Sequence, residues 1–107
     1  MVSIENQIAA RIGEIVYTPN QLADMLRHLG VPKASSLSFG NKIREYVKGK
    51  LFYVDLDKLE VKPARDSDTK YWIPKSRLVD IVEGMKLSQA TSERDLEKAA
   101  SDLGYPI

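Results

Sequence analysis

The chain has no cysteine, which excludes disulfides and thiolate metal sites and fits a reducing, cytoplasmic setting. It has one histidine, His28, with no second imidazole to complete a zinc site, so no metal is expected. No apolar run approaches the ~18 residues a membrane-spanning helix needs. The N-terminus lacks the basic segment and apolar run of a signal peptide. No glycine-rich loop has phosphate-cradle spacing, no serine near His28 has a nucleophile's context, and the carboxylates are scattered. Neither an enzyme nor a cofactor is expected. Aromatics are only 7% of the chain, and Tyr53, Tyr71 and Trp72 alternate with apolar strand residues, so packing is favoured over a stacking platform for single strands.

What is present suits one soluble domain: 107 residues, 43% apolar and 29% charged. The net charge of +1 hides a sorted distribution. Residues 27–50 carry Arg27, Lys33, Lys42, Arg44, Lys48 and Lys50 against Glu45 alone. Residues 61–78 carry Lys62, Arg65, Lys70, Lys75 and Arg77 against Asp66 and Asp68. The remaining segments are acidic on balance. Two basic blocks in an acidic chain match a phosphate-binding surface, or a solvated face with chance clustering.

Hydrophobic spacing places the elements. Ile4, Ile8, Ile12 and Ile15 lie on one face of a first helix, with Ser3 as its cap. Ile15-Val16-Tyr17 predicts a brief strand. Thr18-Pro19-Asn20-Gln21 is a capping box with proline at the first helical position, and Gly30 and Pro32 supply the stop, giving a helix over 19–29. Phe39, Ile43 and Val47, widened by Tyr46, mark the buried stripe of a helix over 36–48, capped by Ser35 or Ser36 and ended by Gly49. Leu51-Phe52-Tyr53-Val54 and Lys70-Tyr71-Trp72-Ile73 predict strands of an antiparallel hairpin with a polar tip near 64–69. Residues 55–62 extend the first strand or begin another. Leu78, Ile81, Val82 and Met85 predict a helix over 75–84. Ser92, with Asp95 three residues on, caps a last helix over 93–103. Its ending, Leu96-x6-Leu103-Gly104-x-Pro106, echoes Leu22-x6-Leu29-Gly30-x-Pro32. That echo reflects shared stop signals or the start of a second, truncated helix-turn-helix.

Four stretches together carry a resemblance: Val16-Tyr17-Thr18-Pro19-Asn20-Gln21-Leu22-Ala23, the Gly30-Val31-Pro32 turn, the serine-rich start of the next helix, and Gly49-Lys50-Leu51-Phe52. Over residues 3–84 the chain resembles the winged helix-turn-helix DNA-binding superfamily, with a stretch at 55–69 longer than a tight hairpin needs. The resemblance implies an α+β fold with a three-helix core, a β-hairpin wing and C-terminal helices. It divides the chain into a DNA-binding domain at 1–85 and a helical extension at 86–107, a candidate dimerisation element.

In such proteins the second helix of the motif enters the DNA major groove with its N-terminal residues near base edges. Applied to helix 36–48, this makes Ser36, Ser38, Asn41 and Arg44 the groove-facing candidates, Asn41 toward adenine and Arg44 toward guanine. Lys33, Lys42, Lys48 and Lys50 become phosphate contacts, and Lys62, Arg65 and Lys70 wing contacts. Glu45 accepts from a cytosine amino group or pairs with a lysine. Gly40 serves close approach, to DNA or to helix 19–29. The expected function is that of a sequence-specific double-stranded DNA-binding protein, most simply a small cytoplasmic transcription regulator. Plasmid or viral replication or partition, and a protein–protein adaptor role, are the alternatives. A homodimer follows from palindromic sites, with helix 93–103 and Tyr105-Pro106-Ile107 as interface or, equally, packed on their own core.

Overall fold

A computed structural model of the chain describes residues 4–50, 52–61, 71–87 and 91–107. Helix α1 spans Ile4–Ile12 and strand β1 Val16–Tyr17. Helix α2 spans Pro19–His28, opened by the expected capping box: Gln21 N–H donates to Thr18 Oγ1 at 3.1 Å, and Thr18 N–H donates to Gln21 Oε1 at 2.9 Å. Gly30, at φ 80°, takes the left-handed position after α2, and Val31 N–H closes on the Leu26 carbonyl at 3.0 Å.

The chain then departs from the expected single helix over 36–48. Pro32–Ser35 form one turn of 3₁₀ helix, residues 36–38 a turn, and helix α3 begins only at Phe39 and runs to Val47. No serine caps it by a side chain. Ser36 and Ser38 are instead within hydrogen-bond reach of each other (Oγ to Oγ 2.9 Å), and Ser38 N–H donates to Ser36 Oγ at 3.3 Å. Local serine bonds of this kind compete with helix formation.

The first expected strand shrinks to one antiparallel bridge, Val54 to Trp72, with Val54 N–H donating to the Trp72 carbonyl at 2.7 Å. Strand β2, Ile73–Pro74, pairs antiparallel with β1 in the register Val16 to Pro74 and Tyr17 to Ile73. Pro74 has no N–H to give, and a two-stranded sheet tolerates it because every strand is an edge. Residues 55–61 are neither strand extension nor new strand. They form a helical turn in which Asp55 Oδ1 accepts from Asp57 N–H at 2.9 Å. Glu60, at φ 58°, ends that turn, and Val61 N–H returns to the Leu56 carbonyl at 3.1 Å. The expected hairpin tip near 64–69 and the Ser3 cap lie outside the described residues.

A 3₁₀ turn, Lys75–Arg77, precedes helix α4, Leu78–Gly84, where a single helix over 75–84 was expected. Glu14 supplies acceptors there, taking Ser76 N–H at 2.8 Å and Ser76 Oγ at 3.2 Å. Helix α5, Glu93–Asp102, has the expected Ser92–Asp95 capping box. Gly104, at φ 77°, ends it as Gly30 ends α2, so the two echoing segments share a stop geometry.

This is winged helix-turn-helix architecture: helices α1–α3, a two-stranded antiparallel sheet and C-terminal helices. Two buried clusters hold it. The larger draws Leu22 and Leu26 from α2, Phe39, Ile43 and Val47 from α3, Ile81 and Val82 from α4, and Leu96, Ala99 and Ala100 from α5. The smaller joins Ile8 of α1 to Val16, Leu56, Val61 and Trp72, so the 55–61 turn and the Val54–Trp72 bridge are anchored on α1 and β1.

One end signal is made by a residue that disfavours it. Lys86 follows α4 at φ 55°, while Leu87 N–H closes on the Val82 carbonyl at 3.1 Å. A side chain there costs about 1–2 kcal/mol, and glycine returns part of that as unfolded-state entropy. Lys86→Gly is expected to stabilise the protein by about 0.5–1 kcal/mol, read as a higher urea midpoint at unchanged m value.

Candidate nucleic-acid interface

Burial sets the rotation of α3. Phe39, Ile43 and Val47 are buried, each worth about 1.5–3 kcal/mol of transfer free energy. Asn41, Lys42, Glu45 and Lys48 are consequently exposed. Among the described residues, the side chains of Asn41, Lys42 and Lys48 have no hydrogen-bond or ion-pair partner, and Glu45 pairs with no lysine.

Gly40 is buried beneath α2: a Cβ built on it would fall 1.9 Å from Asn20 Oδ1 and 3.3 Å from Asn20 Cα. Its use is therefore helix–helix approach, which offsets the ~1 kcal/mol that glycine costs in a helix.

Arg44 stands apart from these exposed side chains. It is half-buried, and its Nε is shielded from solvent without a hydrogen-bond partner. Lys50 lies with Nζ 4.7 Å from the Tyr46 ring centroid, and Tyr46 stacks on Phe52 at 6.0 Å and 13°. That cation–π contact is worth about 0.5–1 kcal/mol at an exposed site and holds the ammonium beside the C-terminal end of α3. Lys33 donates to the Lys86 carbonyl at 3.0 Å and ties the 3₁₀ turn to the end of α4. Ser36 and Ser38 are exposed ahead of α3. Lys62, Arg65 and Lys70 fall outside the described residues. In the second basic block, Lys75 pairs with Glu97 at 2.5 Å and Arg77 with Asp80 at 3.5 Å, so both are largely neutralised.

Arg27, counted in sequence only as a charge, proves to be structural. Its Nη1 donates to Asp24 Oδ1 at 2.7 Å, its Nε to the Ala34 carbonyl at 2.6 Å and its Nη2 to the Ser36 carbonyl at 2.8 Å. The planar fork thus spans the connection from α2 into α3. The other carboxylate oxygen of Asp24 accepts from the Tyr105 hydroxyl at 2.7 Å, and the Tyr17 hydroxyl donates to the Pro106 carbonyl. Within this chain the C-terminal tail therefore lies against α2 and β1, away from the exposed side of α3. The Asp24–Arg27 spacing of three residues on α2 is a sequence signal for the ion pair. Nothing in sequence announces the partners 34, 36 and 105.

Trp72 and the Tyr53–Tyr71 pair (edge-on, 5.0 Å between centroids) are packed as expected. His28 pairs with Asp102 at 3.0 Å on the surface. Among the described residues no group of three or more potential metal ligands gathers, and no helix is long and apolar enough to cross a membrane. Comparison with protein-family models, curated proteins and solved structures found no match to this chain.

Arg27→Ala is expected to cost about 1.5–3 kcal/mol in total, a charged-group value held low because the side chain is partly solvated. Arg27→Lys should recover less than half of it, because an ammonium cannot reproduce the fork. Urea unfolding of both variants tests this.

Burial and the Asp24 carboxylate push the Tyr105 hydroxyl up to about 12. A phenol raised on folding stabilises the native state below its ordinary value near 10, and that contribution is lost as pH climbs toward the folded value. The stability gap between the wild type and Tyr105→Phe should therefore narrow between about pH 9 and about pH 12. A gap constant across that window would show that Asp24 does not hold the phenolic proton.

Proposed function

We propose that this protein binds double-stranded DNA sequence-specifically through the exposed side of α3, as a small homodimeric transcription regulator with no catalytic step. The observation that carries the reading is the pairing on α3 and its C-cap of a buried apolar stripe with an exposed side bearing Asn41, Lys42 and Lys48, their side chains uncommitted among the described residues. A helix of this width fits the major groove, and Asn41 has the bidentate amide that matches an adenine edge. Lys42, Lys48 and Lys50 flank it as phosphate contacts, joined by Lys62, Arg65 and Lys70, while Lys33 is held by the Lys86 carbonyl. Arg44, half-buried, acts at the edge of the contact by supporting α3 more than by reading a base. Glu45 is the one acidic residue of α3 and restrains non-specific attraction to phosphate.

Selection of duplexes from a random pool, followed by titration over a salt series, tests the proposal. With ~6 phosphate contacts, log affinity should fall with log salt at a slope near −5, and Lys48→Ala should reduce that slope by about 0.9. Asn41→Ala should relax sequence preference by about 1–3 kcal/mol at one position while sparing weak, salt-sensitive binding. Absence of duplex binding at low salt overturns the proposal in favour of a protein–protein adaptor.

A further inference from the structure

Leu37 is the outlier of this surface. It is 97% exposed, against 61% for Ile107 and 37% for Leu103, the other large exposed apolar side chains among the described residues. It is also firmly placed. Arg27 grips the carbonyls of Ala34 and Ser36 just before it, and Ser36 and Ser38 bond to each other across it. The Phe39 N–H to Ser36 carbonyl and Asn41 N–H to Ser38 carbonyl bonds, at 3.1 and 3.0 Å, continue a helical sense from this turn into α3. A scaffold that rigidly presents one leucine to water between two hydroxyls, ahead of a basic helix, has built a contact point.

We infer that Leu37 reads the 5-methyl group of a thymine in the major groove. This rests on the groove-binding reading above and adds a base preference to it. Thymine is the only base that offers an apolar group in that groove, and an aliphatic side chain is its natural complement. Leu37 lies in the 36–38 turn just ahead of α3, four residues before Asn41 in the first turn of the helix, and both side chains are exposed. Base pairs are stacked every ~3.4 Å and four residues of chain span at most ~14 Å, so the thymine should lie within about four steps of the adenine that Asn41 reads. Arg27 is then a positioning residue for Leu37, acting through the turn.

The test replaces each thymine of a selected duplex by uracil, one at a time, which removes the methyl and nothing else. Wild-type protein should lose about three- to fivefold affinity at one thymine per half-site, the value of one buried methyl group. Leu37→Ala, at an exposed position, should keep the wild-type melting temperature, bind the thymine duplex more weakly, and no longer distinguish uracil from thymine there. Specific, salt-sensitive binding that is indifferent to uracil at every position overturns this inference and leaves the DNA-binding reading standing. So does a Leu37→Ala variant that binds as tightly as wild type, or one that weakens yet still distinguishes uracil. Failure of any duplex to bind overturns both.

Discussion

The contact between α2 and α3 is the constraint from which the rest of the surface follows. Phe39, Ile43 and Val47 are driven out of water against Leu22 and Leu26, and Gly40 lets the backbones approach where Asn20 crosses. Once that stripe is buried, the rotation of α3 about its axis is no longer free. Turning the helix enough to cover Asn41 or Lys48 would expose two or three apolar side chains, at several kcal/mol. The outward face of α3 is therefore as well determined as its core face, though Asn41 and Lys42 there have no side-chain hydrogen bond or ion pair among the described residues.

Electrostatics act on a smaller scale and are partly spent inside the fold. Arg27 serves the α2–α3 connection, and Lys33 spans to the end of α4. Lys75 and Arg77 meet carboxylates. Lys42 and Lys48 remain uncommitted, with Lys50 parked over Tyr46. Among the described residues of 27–50, fewer cations are thus free than the sequence count implies, and two of the free ones, Lys42 and Lys48, lie on or just after α3. The same network leads from the Tyr105 hydroxyl through Asp24 and Arg27 to residues 34 and 36, so the tail supports the start of α3 from behind.

The region expected to be a simple hairpin is built differently. Its described part is a helical turn at 55–61 pinned to α1 by Leu56 and Val61, and the backbone pairing reduces to one bridge at Val54 and a short sheet at β1 and β2. Asp55 is the cap that turns the chain, two residues before Asp57, and its side chain competes successfully with strand pairing.

The helices α2 and α5 were legible because their signals are local: a hydroxyl at the cap, an amide or carboxylate three residues on, and a glycine after the last turn. The inward stripe of α3 was legible because a 3.6-residue period needs no knowledge of the partner. The start of α3 was not, because Ser35 and Ser36 are equivalent as caps in sequence and neither is used as one. The choice among geometries fell to Arg27, reaching across from α2. The fate of 55–61 was hidden for a similar reason, since the spacing of Leu56, Leu59 and Val61 suits a strand or a capped turn equally. Burial of Leu56 beside Ile8 and Trp72 decided between them. By itself the sequence determined where α2 and α5 begin and end and which helix faces are apolar, since those depend on neighbours within one turn. Only the tertiary structure decided which cations stay free, which glycine is a contact and how Leu37 is presented, since each depends on groups distant along the chain meeting in space.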